Sequence, residues 1–147
     1  GAYHRTHSGY AVAAFHEALR ITLQHGRAEK ARDYAFHEKA LREAMTALGC
    51  EVTSNMTSLV VLNLPGALRG REKELVQMCR AEGFGIWPTL SEPVQVRIGI
   101  LNQITQGAIT DIVVRFAKAM AAMGADVDMD AVQAQLARSY GVAVAAQ

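Results

Sequence analysis

Little in this sequence suits a disulfide-built, membrane-spanning or polyanion-binding protein. The two cysteines, Cys50 and Cys79, stand far apart without metal-type spacing and are too few for a disulfide framework. They are expected to be reduced core residues of a cytoplasmic protein. No apolar run approaches the roughly 20 residues that a membrane helix needs, and no basic-then-apolar leader is visible, so no membrane partner is expected. Charge of one sign is also scarce: 15 Lys and Arg face 14 Asp and Glu, a formal +1, which argues against nucleic acid as a partner. Three prolines interrupt 147 residues that are 50% hydrophobic and 20% charged, the composition of one domain with a sizeable core.

What is present is punctuated by glycine. Val12, Phe15, Leu19 and Leu23 recur at helical spacing from about Ser8 to His25, and Gly26 follows as a left-handed cap. A longer helix is predicted from about Arg27 to Leu48, with Ala31, Tyr34, Ala35, Leu41, Met45 and Leu48 on its apolar stripe and Glu29, Lys30, Asp33, Lys39, Arg42 and Glu43 outside it. Strands are predicted at Glu51 to Thr53 and Leu59 to Leu64, the second apolar on both faces and so expected in the centre of a sheet covered on both sides. A helix over Arg71 to Glu82, burying Leu75, Val76 and either Met78 or Cys79, a strand around Phe84 to Trp87 and the strand through Arg97 follow. Two more helices close the chain, about Ala108 to Met123 and Met129 to Tyr140, the latter with Asp128 as N-cap. The order predicts an α/β (α+β) layer, a small, largely antiparallel sheet covered by helices.

Arg97 is the most informative residue. In Val94-Gln95-Val96-Arg97-Ile98-Gly99-Ile100, period-two alternation puts the aliphatic residues on one face and Gln95, Arg97 and Gly99 on the other. A guanidinium there either lies on a solvated edge strand, pairs with a structural carboxylate, or reaches for an anion, because an unpaired buried charge is costly.

Tyr3-His4-Arg5-Thr6-His7-Ser8, a helix ending at Gly26, a long helix ending Leu48-Gly49, and then Arg97-Ile98-Gly99 together resemble the C-terminal small domain of class V aminotransferases. These are pyridoxal-phosphate enzymes of fold type I, and the likeness is to their alanine-glyoxylate, serine-pyruvate and ureidoglycine-glyoxylate branch. It extends over almost the whole chain up to about Gly124. The resemblance implies that Arg97 binds the α-carboxylate of the amino or keto acid substrate. It also implies that Tyr3 and Thr6 reach across a homodimer to the phosphate of the partner subunit's pyridoxal phosphate. The other reading of Tyr3 and Thr6 is an ordinary N-terminal lead with a Ser or Thr cap.

The reaction implied is a ping-pong transamination, in which the cofactor serves as electron sink and passes the amino group to a small keto acid such as glyoxylate or pyruvate. Arg97 would orient both acids toward the catalytic lysine. Schiff-base lysine, pyridine-nitrogen aspartate and stacking aromatic would belong to a large cofactor-binding domain preceding Gly1. Lys30, Lys39, Lys73 and Lys118 fall on helix faces by pattern and give no setting that would lower an amine pKa. The fragment alone is thus expected to be inactive. Residues 1–26 form the leading segment, 27–124 the small domain and 125–147 a terminal helix and tail. Where family members carry a further glycine, this chain continues Ile100-Leu101-Asn102-Gln103, which leaves the substrate open.

Other constellations are weaker. His4, His7, His16, His25 and His37 crowd the first quarter, but nothing near His4-x-x-His7 completes a metal set. His16-Glu17 and His37-Glu38 read as helix-surface or interdomain contacts, and Trp87-Pro88 as either a wall of the substrate site or core packing. The alternative function is a non-enzymatic α/β module binding a small carboxylate through Arg97.

Overall fold

Helix boundaries fall at the glycines. In the computed structural model, which describes residues 9–100 and 104–141, α1 is Gly9–His25 and α2 is Arg27–Ala47. Gly26 between them has φ +75°, a left-handed conformation that a Cβ would oppose. The chain divides within α2 into two compact units, one reaching Asp33 and the other beginning at Tyr34.

In the first unit, Glu17 and Arg20 form an exposed pair one turn apart on α1, with 2.5 Å between Nη2 and Oε1. The apolar stripe of α1 has the expected spacing, yet Val12, Phe15, Leu19 and Leu23 are all exposed, Phe15 at 66% and Leu23 at 72%.

The second unit is built on a four-stranded sheet of β1 (Glu51–Val52), β2 (Leu59–Asn63), β3 (Trp87–Pro88) and β4 (Val96–Gly99). The spatial order is β1-β2-β4-β3 and each neighbouring pair is antiparallel. Helices α3 (Glu72–Ala81), α4 (Gln106–Ala122) and α5 (Met129–Tyr140) complete the α+β fold. Val60 and Leu62 of β2 and Val96 and Ile98 of β4 enter one core with Leu41 and Met45 of α2, Leu75 and Cys79 of α3, Phe116 and Met120 of α4, and Val132 and Leu136 of α5. Removal of this apolar surface from water is the main stabilising contribution.

Several expectations need correction. Strand β2 is interior, as predicted, but only Val60 and Leu62 are fully buried. Leu59, Val61 and Asn63 on its other face are half-buried, so one face of the sheet is left open by the described residues. The strand expected at Phe84 to Trp87 pairs only from Trp87, because Gly83 at φ +88° and the Phe84 amide, bonded to the Cys79 carbonyl at 3.1 Å, are spent closing α3. On α3 it is Cys79 that is fully buried, while Met78 is half-buried. Helix α5 matches its predicted bounds, and Asp128 accepts the Ala131 amide at 2.9 Å. The cap of α4, Thr105, was not anticipated.

His37 and Glu38, read as helix-surface or interdomain contacts, are polar contacts within the second unit. Glu38 is 8% exposed, and its carboxylate takes the Arg42 guanidinium at 2.6 Å from Nε. His37 is half-buried, with Nδ1 3.0 Å from the Tyr140 hydroxyl, so it joins α2 to α5. The positions of His4, His7 and the tail after Gly141 lie outside the described residues. Among the described residues no helix is long and apolar enough to cross a membrane.

Candidate functional site

The open face of the sheet presents its residues in rows. Trp87 of β3 pairs with Arg97 of β4, Arg97 pairs with Val61 of β2, and the Thr53 amide donates to the Val61 carbonyl at 2.8 Å. Residues directly opposite in an antiparallel ladder share a face, so Thr53, Val61, Arg97 and Trp87 form one row.

Arg97 is half-buried, and its Nε is enclosed without a hydrogen-bond partner among the described residues. Strand β4 is interior, not an edge, and none of the ion pairs among the described residues includes Arg97. The contrast with other arginines is direct. Arg71 holds Glu74 at 2.7 Å and the Met123 carbonyl at 2.9 Å, and Arg115 holds Asp111 at 2.9 Å. A desolvated donor left unmade costs about 1–3 kcal/mol, and an arriving carboxylate would recover it through a charge-assisted bond.

Space is available beside it. A Cβ built on Gly99 meets nothing within 4 Å, and Gly99 stands opposite Leu59. On the other side, Trp87 is 53% exposed, and a Cβ at Gly85 would lie 3.4 Å from its ring. The ring therefore folds back over Gly85, on the open face and outside the core.

The next row is already satisfied. The Gln95 amide donates to Thr53 Oγ1 at 3.0 Å and Asn63 Oδ1 at 2.9 Å, and Asn63 donates to Glu51 at 2.9 Å. These side chains bond to one another, and among the described residues none of them bonds to Arg97. Sequence reading missed the loop joining β1 to β2, where Arg42 and Ser54 converge and Ser58 has φ 81°. No local pattern separates Arg42 from Arg27 and Arg32 of the same helix.

Of the described lysines, Lys39, Lys73 and Lys118 are exposed on helices and Lys30 is half-buried in the first turn of α2. None has the enclosed strand-end setting that a covalent cofactor would require, so the described residues do not themselves fit pyridoxal phosphate. Tyr3 and Thr6 lie outside the described residues.

No protein-family model and no curated protein matches the sequence. The fold does have a counterpart among solved structures. The crystal structure of ureidoglycine-glyoxylate aminotransferase from Bacillus subtilis superposes with a TM-score of 0.85 at 17% identity, over 93% of this chain and 37% of that one. The chain thus has the fold of a part of that enzyme and spans well under half of its length.

Proposed function

We propose that this chain is the C-terminal small domain of a longer pyridoxal-phosphate-dependent aminotransferase of class V, and that Arg97 binds the α-carboxylate of its amino and keto acid substrates. The observation that carries the reading is the Arg97 Nε, enclosed without a partner among the described residues, on the open face of an interior strand. The fold shared with an aminotransferase over 93% of this chain supports it.

In this reading the guanidinium offers two parallel donors to a carboxylate, and the strand backbone fixes their direction. Gly99 keeps the approach open, and Val61 and Trp87 stand on either side of Arg97 in its cross-strand row. Tyr3 and Thr6 would contribute hydroxyls to the cofactor phosphate of a partner subunit in a homodimer. The cofactor and its lysine would be supplied by a large domain elsewhere in the protein. A small keto acid such as glyoxylate or pyruvate would accept the amino group, and the site would be cytoplasmic.

The test begins with the mass of the native protein, detected in source cells with an antibody against this chain. The reading expects a product between two and three times this length, as 37% coverage of the solved chain implies. It also expects transamination to glyoxylate or pyruvate that Arg97→Ala abolishes. A product of this length, or a longer protein whose amino-acid affinity is unchanged by Arg97→Ala, overturns it.

A further inference from the structure

We infer that Arg42 is a positioning residue for Arg97: braced by Glu38 and acting through Ser54, it fixes the segment of β2 that stands opposite Arg97 and Gly99. The inference rests on the carboxylate-site reading for its consequence, but its geometry stands apart from that reading.

Arg42 distributes its donors unusually widely for one α2 side chain. Its Nε donates to Glu38 at 2.6 Å, Nη1 to the Ser54 carbonyl, and Nη2 to Ser54 Oγ and the Met56 carbonyl, each at 3.2 Å. Glu38, 8% exposed, holds the fork in place. The pair ties the β1–β2 loop to the helix.

Ser54 carries the constraint into the sheet. Its hydroxyl donates to the Leu59 carbonyl at 2.8 Å and accepts the Val61 amide at 2.9 Å, serving where β1 no longer supplies backbone partners. Val61 stands opposite Arg97, and Leu59 stands opposite Gly99. The loop then ends in Ser58, whose φ of 81° is left-handed, and the Ser58 carbonyl accepts the Ile100 amide at 2.8 Å. A non-glycine residue persists there only where its surroundings over-determine it. From Glu38 through Arg42 and Ser54 to Val61 the path is one of consecutive hydrogen bonds, and Val61 is the cross-strand neighbour of Arg97, whose Nε has no partner among the described residues. With no bonded partner for its Nε among the described residues, the Arg97 side chain takes its direction from β4 and the strand segment paired with it.

The experiment follows the Arg97 Nε–H resonance of this chain by NMR, assigned with Arg97→Ala, and titrates it with pyruvate. In Arg42→Lys, which keeps charge but loses the fork, the resonance should shift or broaden and pyruvate should bind about ten-fold more weakly. Ser54→Ala, which leaves the Glu38–Arg42 pair intact, should have the same effect in smaller measure and serves if Arg42→Lys fails to fold. Unchanged Arg97 resonance and pyruvate affinity in both variants, with only a lowered melting temperature, would reduce Arg42 to a structural clamp and overturn the inference. A shifted Arg97 resonance with no pyruvate binding in any form, wild type included, would uphold the positioning role and count against the carboxylate site.

Discussion

Arg97 stands opposite Trp87 across β4 and β3, and both side chains emerge on the face of the sheet that the described helices leave open. A large ring and a guanidinium whose Nε has no partner among the described residues share one row. This row is where a ligand carboxylate is expected, and removing the guanidinium should separate binding from stability. Arg97→Met is expected to bind pyruvate about 100-fold more weakly, through loss of a charge-assisted pair worth about 3 kcal/mol, while leaving thermal stability unchanged or raised. Calorimetric titration beside a melting curve on the same preparation checks it. A large drop in melting temperature would mean that Arg97 has a structural partner.

Ser58 offers a gain of stability. Its φ of 81° costs a side chain that glycine would not present. Ser58→Gly should stabilise the chain by about 1 kcal/mol in urea unfolding. A loss of that size would show that the Ser58 side chain is itself bonded in solution.

Glu38→Ala should be costly out of proportion to its size. It leaves the half-buried Arg42 guanidinium without its carboxylate, and about 2 kcal/mol of destabilisation is expected, with Glu38→Gln intermediate. Denaturant midpoints of the two variants test this, and equal midpoints with the wild type would show that the pair contributes nothing.

The thiols set an alkaline limit. Burial pushes Cys50 and Cys79 from the ordinary 9.0 up to about 12, with the Glu82 carboxylate adding a smaller share at Cys79. The folded chain then keeps protons that the unfolded chain loses, so this stability is full below pH about 9 and declines through about 12. By pH 10 each thiol should cost about 1 kcal/mol, measured as a falling melting temperature. The slope should flatten in Cys50→Ala/Cys79→Ala. Folded protein at pH 8 should also react slowly with a thiol reagent.

Exposed apolar residues on α1 predict association. Val12, Phe15, Leu19 and Leu23 form an exposed stripe of the kind that drives self-association when uncovered. Sedimentation should show concentration-dependent oligomers that Phe15→Glu with Leu23→Glu disperses. A monodisperse wild-type chain would favour a module that stands alone.

By itself the sequence determined the order of elements, their glycine-capped ends and the alternation that puts Arg97 opposite the core face, because these depend on backbone sterics and on periods of two and 3.6 residues. The same locality explains Asp128, whose cap lies three residues from its amide. Tertiary structure alone decided that β4 lies between β2 and β3, that Arg97 Nε is enclosed without a partner among the described residues, and that Glu38 and Arg42 are largely withdrawn from solvent. Each depends on which distant segment comes alongside. Arg42 meets Ser54 only once the β1–β2 loop folds over α2, and no local period encodes that encounter.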